Sequence, residues 1–328
     1  MSVSDVPSAL AVRGFHATGR VLEHLPFFEF AGEQFRATTA DRLRHLLTGS
    51  HDGISGLVPA TQENPGLFGP DSLTWQVHSH PAMLVGGLRA LLVQSMHPLV
   101  MAGVAEHSQY REDPLGRLAR TVRYVAATTY SPLAEVDAML SMVEHAHTHV
   151  RGIAPDGRPY AANDPDLLAW VHNTQVQSFL LAYRWYGPGL DDMRANQYIV
   201  EMAALGERVG AFDLPRTTYE LNRWIDQHPD RKASAQAQDA ARFLLHPPLV
   251  APARQAYVPI AAGALAAIPK DWRRELHLPT IPHPVGPLLV ACALRPATSV
   301  LLRLLSWTLA HETPDRPAGV VRVARTAA

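Results

Sequence analysis

At 328 residues with 47% apolar side chains, the chain can bury a sizeable core as one large domain with at most an appended lobe. Twenty-nine basic against thirty acidic residues leave a net charge of −1, which argues against nucleic acid as a partner, because affinity for phosphate backbones needs concentrated Lys and Arg. The single cysteine, Cys292, excludes an intrachain disulfide and a Cys-based zinc site, and points to a reducing, cytoplasmic location.

Residues 1–70 read as an N-terminal arm rich in turn formers, with one helix over Thr39–Gly49 capped by Thr39 or Asp41. Its first residues, MSVSDVPSAL, lack the basic-then-apolar order of a signal peptide. A helical core is expected over residues 70–246. It opens with DSLTWQVHSHPAMLVGGLRALLVQSMHPLVMAGVAEHS, whose apolar runs, broken by Pro81, Gly86, Gly87 and Pro98, suggest buried helices near a cavity. After Pro114, LGRLARTVRYVAATTY carries an apolar edge of Leu118, Val122 and Val125 and a polar stripe of Arg117, Thr121, Tyr124 and Thr128. A short connection makes it one arm of a helical hairpin with Ser131–Gly152. In that second arm Ser131 is the expected N-cap, Pro132 the first helical residue and Gly152 the C-terminal cap.

Along the same arm Val136, Leu140, Val143, His147 and Val150 form one inward stripe, while His145 and His149 point to the far side. Next, Asn163 or Asp164 caps a helix that Pro165 opens and Gly187 stops. It is apolar nearly all round and is the expected central helix. Further helices follow over Leu190–Val209, Thr217–Asp226 and Ala235–Leu245, the last capped by Ser234. Residues 247–312 read as C-terminal helices on the core: Pro247–Pro259 is a linker or wrapped loop, and Val285–Leu309 supplies two core helices. Arg295, Pro296 and Arg303 keep this last region short of the about 20 apolar residues of a membrane span. Residues 313–328 are a small, basic, flexible tail. Strand-like alternation is nearly absent, so the fold class is all-α.

Several residues could carry chemistry, each with a plainer structural alternative. An imidazole on an otherwise apolar face, His147, is either a metal or axial haem ligand or a core histidine bonded to a carbonyl. Glu144 and His147 form one Glu-x-x-His pair, whereas a di-iron bundle uses two pairs and two further glutamates. His145 and His149, spaced i, i+4, could grip a divalent ion or lie on a solvated face. Arg117, Arg120 and Thr121 form R-x-x-R-T, suited to a pocket that binds carboxylates or developing negative charge, or else to arginines that snorkel to solvent. His97, Asn173 and Gln177 are candidate cofactor contacts; a histidine–proline break and a pair of buried amides also serve as caps and helix-end partners. His78, His80 and His107 stand under the same two readings. No phosphate-binding glycine loop, nucleophile elbow or Cys-x-x-Cys is present.

Taken together, FGPDSLTWQVHSHPAMLVGGLRALLVQSMHPLVMAGVAEHS, DPLGRLARTVRYV, HTHVRG and GRPYAANDPDLLAWVHNTQVQSFLLAY resemble the MpaB-like and latex-clearing-protein (rubber oxygenase) family over roughly Phe68 to Gly210. The resemblance implies a partly globin-like all-α domain enclosing haem b. It also implies an oxygenase that uses dioxygen or a peroxide-level oxidant on a small apolar organic substrate, with a possible redox partner. Rubber oxygenases carry R-x-x-K-T on the distal side, which maps onto Arg117, Arg120 and Thr121, and a proximal histidine, which maps onto His147 of H-x-x-V-x-G. Arg120 departs from the lysine of that subgroup, and a guanidinium is a poor iron ligand, so a five-coordinate or water-bound iron is implied and polyisoprene is not the expected substrate. The alternatives are a non-haem, di-iron-like oxidoreductase and a non-catalytic helical ligand-binding protein.

Overall fold

The computed structural model describes residues 57–249, 251, 253–280 and 295–309. The arm helix expected over Thr39–Gly49, the segment 281–294 and the tail after 309 lie outside these residues. Twelve helices and one two-stranded hairpin are present among the described residues, an all-α fold.

Helix α6, Pro165–Tyr186, is the axis of the core, and its start is encoded locally: the Asp164 side chain accepts from the Asp166 N–H at 2.9 Å and Pro165 takes the first turn. Buried residues ring it, with Trp170 and Tyr183 at most 1% exposed. It packs most extensively on α2, Ala82–Gln94, and the two approach closely because Gly86 has no side chain. A Cβ there would lie 3.1 Å from Phe179 Cδ1 and 3.2 Å from both Ala182 Cβ and Phe179 Cα. Overpacking of a filled core costs about 1–3 kcal/mol. Gly86→Leu, which must push α2 and α6 apart, is therefore expected to destabilise by about 3 kcal/mol, measured by urea denaturation, with Gly86→Ala losing clearly less.

The remaining elements follow from their caps and faces. Helix α1, Leu73–His78, starts at Ser72, whose hydroxyl accepts from Trp75 N, and α3, Pro98–His107, turns off α2 by 105° with Pro98 in its first turn. Helices α4, Pro114–Tyr130, and α5, Leu133–His147, follow, then strands β1, Arg151–Ile153, and β2, Pro159–Ala161. Around α6 lie α7, Asp192–Arg208, and α8, Thr218–Asp226, the latter opened by a capping box of Thr217 and Glu220. Helix α9, Ala235–Leu245, is capped by Ser234, and α10, Ala253–Ala266, α11, Lys270–Glu275, and α12, Arg295–Leu309, complete the set.

Three local expectations are corrected. Ser131 closes α4 through its N–H to Ala127 O, and Pro132 occupies the cap position of α5 without a side-chain bond. Helix α5 stops at His147, because Thr148 donates its hydroxyl to His145 O at 2.6 Å, so Gly152 is not a helix cap but a residue of β1. The antiparallel register Arg151↔Ala161, Gly152↔Tyr160 and Ile153↔Pro159 is too short for an alternating pattern to announce it. Within the expected linker Pro247–Pro259, helix α10 begins at Ala253 and runs through Pro259. Tertiary packing of α10 on α2 and α12 overrides the local breaker.

Candidate functional site

The sequence places its R-x-x-R-T residues on the first two turns of α4, which Asp113 caps by accepting from Gly116 N at 2.9 Å. Arg117 is half-buried and donates to the Ser108 hydroxyl, its one acceptor among the described residues; no carboxylate pairs with it. Burial and the neighbouring Arg120 lower the Arg117 guanidinium from its ordinary value. Arg120 is exposed and sits 3.4 Å from Asp113 Oδ2. Thr121, also exposed, returns its hydroxyl to Arg117 O at 3.0 Å.

At the end of α5 the expected separation of His145 from His147 holds, while His149 lies beyond the helix. His145 and His149 are exposed, their rings T-shaped at 5.1 Å, while His147 lies half-buried in line with Val136, Leu140 and Val143. Burial lowers the His147 imidazole and the Asn163 side chain beside it partly offsets this, so the ring is neutral near pH 7 and offers a lone pair. Asn163 is held by its own bond to Glu144 O at 3.3 Å.

Helices α4 and α5 are in contact as the two arms of the hairpin. Leu118 and Val122 on α4 and Val143 on α5 are half-buried and belong to none of the core clusters of the described residues. Val125 and Leu140, on the same two rows, pack on the main core, and each row has a nitrogen-bearing side chain at its end, Arg117 and His147. Half-buried Leu118, Val122 and Val143 together with Arg117 and His147 are chemically suited to a largely apolar group with polar edges. Among the described residues no set of three or more His, Cys, Asp or Glu side chains converges as a metal site. A haem needs only one imidazole, because the porphyrin supplies four nitrogens, so the donor set on α5 fits that group better than a multi-carboxylate centre.

The other expected contacts lie elsewhere. His97, 1% exposed, stands at the cap position of α3, its ring 5.6 Å from that of Trp170 and 5.3 Å from that of His228, with Nε2 3.9 Å from Asp230. Burial, with His228 adding to it, pushes it down to about 4. Asn173 and Gln177 share a face of α6, whose principal neighbours are α2, α7 and α8, not α4 and α5. Gln177 is committed: its oxygen accepts two bonds from the buried Arg89 guanidinium at 3.1 Å, and its nitrogen donates to Asn222 at 2.8 Å. Asn173 is 2% exposed and its Nδ2 is unpartnered. His172, not singled out from the sequence, is buried in α6 and pushed down to about 4; a lone histidine in an apolar run gives no signal that separates it from its neighbours.

Residues 75–308 match the family described as "ER-bound oxygenase mpaB/B'/Rubber oxygenase, catalytic domain". No curated protein and no solved structure matches the chain.

Proposed function

The chain belongs to the family of MpaB and rubber-oxygenase catalytic domains and is an oxygenase, and from that premise we propose that it is a haem b-dependent oxygenase acting on an apolar organic substrate with dioxygen or a peroxide-level oxidant. The observation that carries this reading is His147: a half-buried imidazole, lowered by burial, in line with Val136, Leu140 and Val143. When bound, haem supplies a redox-active iron able to activate dioxygen or peroxide, chemistry that side chains alone do not provide.

The chain's own residues would do the rest. His147 would hold the iron. Arg117, a desolvated guanidinium whose acceptor among the described residues is the neutral Ser108 hydroxyl, would bind a carboxylate of the macrocycle or stabilise negative charge developing on oxygen. Arg120 stays protonated and so would stabilise charge rather than coordinate. Thr121 would offer its hydroxyl from the same turn, and Leu118, Val122 and Val143 would exclude water and favour an apolar substrate. Insertion of one oxygen atom from dioxygen needs two electrons from a partner, whereas peroxide brings its own oxidising equivalents. The single cysteine suits a reducing, cytoplasmic setting.

The test is the absorption spectrum of the purified protein with its porphyrin and iron content. The expected result is a Soret band with one porphyrin and one iron per chain. Iron without porphyrin would replace this reading with the non-haem one.

A further inference from the structure

The C-terminal end of α3 carries Glu106, His107 and, just beyond it, Ser108, and this tripeptide touches two separate segments. Ser108 accepts from Arg117 of α4. Glu106 and His107 both reach Tyr160, which lies 5% exposed on β2 opposite Gly152. The Tyr160 hydroxyl donates to the Glu106 carboxylate and lies 3.1 Å from His107 Nε2, while Nε2 and Glu106 Oε2 are 4.0 Å apart. The close approach depends on Gly152: a Cβ there would stand 2.7 Å from the Tyr160 hydroxyl and 2.8 Å from Glu106 Oε2. The Tyr160 ring is itself seated over Gly103, where a Cβ would lie 3.4 Å from Cε2.

Burial, with the Glu106 carboxylate adding to it, pushes the Tyr160 phenol up to about 12, so it keeps its proton at neutral pH. With that proton on the Glu106 side, the remaining lone pairs of the phenol oxygen accept from His107, which assigns the imidazole hydrogen to Nε2. The donors then run in one direction, from His107 through Tyr160 to Glu106. The Glu106 side chain, 56% exposed, and the His107 side chain, 27% exposed, leave both ends open to exchange.

We propose that His107, Tyr160 and Glu106 form a proton relay serving the oxygenase site on α4 and α5, with Tyr160 the residue that positions and connects the other two. This rests on the placement of the site beside Arg117 given above. His107 first takes a proton from solvent at Nδ1, and in one transfer the Nε2 proton of the imidazolium passes to the Tyr160 oxygen as Tyr160 gives its own proton to Glu106 Oε2. Glu106 becomes a neutral acid able to protonate an oxygen of the oxidant or substrate, and His107 is left as a neutral imidazole with its hydrogen on Nδ1. No electron moves: the Nε2–H and the original Tyr160 O–H bonds break, and bonds to hydrogen form at Nδ1, the Tyr160 oxygen and Glu106 Oε2.

Two measurements test the relay separately from haem binding. Nuclear magnetic resonance titration of the His107 ring, which needs no cofactor, is expected to shift in Glu106→Gln and in Tyr160→Phe; a midpoint the same as wild type in both variants overturns the relay. In haem-loaded protein, the reaction with hydrogen peroxide is followed by stopped-flow absorption. Glu106→Gln still accepts the Tyr160 hydrogen bond but cannot take a proton, so a merely structural contact predicts no change. The relay predicts slowing by about 100-fold, the usual scale of general acid–base catalysis, with the resting Soret band unmoved. A wild-type rate in Glu106→Gln with the Soret band intact also overturns it. A protein that binds no haem refutes the proposed function, and the titration still decides the relay.

Discussion

Replacing His147 with alanine is expected to abolish the ligation spectrum of bound haem, while His145→Ala and His149→Ala leave it unchanged. The three histidines occupy five consecutive positions, yet only His147 lies on the inward row; the other two are exposed and pack on each other. Loss of the axial nitrogen should lower haem content of the purified protein severalfold or more and move the Soret band, and added imidazole should restore the wild-type position. The fold should survive. A half-buried side chain at a helix end, whose last turn is closed by Thr148, contributes roughly 1 kcal/mol. An unaltered spectrum in His147→Ala would remove His147 as the ligand while leaving the family assignment in place.

Acid is the second large lever. Burial, with His228 adding to it at His97, pushes His78 down to about 3 and His97 and His172 to about 4, from an ordinary value of 6.5. His78 is clamped between Thr129 Oγ1 at 2.8 Å and the Tyr198 hydroxyl at 3.1 Å, and packs edge-on against Phe179. His97 lies against Trp170 and His228. His172 lies so close to Gly206 that a Cβ there would stand 2.8 Å from its Nε2.

Folded-state values below the unfolded one mean that the unfolded chain binds protons first. The stabilising contribution is therefore complete above pH 6.5 and is lost as pH falls from 6.5 towards 4 and 3. Each histidine contributes about 1.4 kcal/mol per pH unit in that window, so three together reach roughly 4 kcal/mol per unit, against a total stability of about 5–15 kcal/mol. Half-buried Asp226, raised by burial, opposes this in part because protonation favours its folded form. Stability from urea denaturation is expected to fall steeply between pH 6 and pH 4.5. His172→Gln should make that slope shallower by about one proton. A flat profile between pH 7 and pH 5 would show that these imidazoles are not held neutral by the fold.

Much of this was legible in the chain because it depends on near neighbours. Asp164-Pro165 opens α6, Ser234 caps α9, and the i, i+4, i+7 recurrence of Val136, Leu140 and Val143 set His147 apart from His145 and His149. Caps and periodicity operate over three or four residues, so the sequence by itself determined the helices, the inward face of α5 and the composition of R-x-x-R-T. Pro259 inside α10 and Ser131 at the end of α4 went otherwise, since a breaker or a cap is only a local preference that packing can overrule.

What only the tertiary structure decided is which distant groups share a bond. Gln177, a candidate cofactor contact on periodicity, is taken by Arg89, which also donates to Ser178 and to Ala267 O. Gly152, spaced as a helix cap, instead clears room for Tyr160 against Glu106, a contact between strand and helix that no local pattern encodes. The sequence determined what each helix shows on each face. Which face is buried, and against what, depends on where the rest of the chain finds better burial, and that is settled by the competition among all helices for the core around α6.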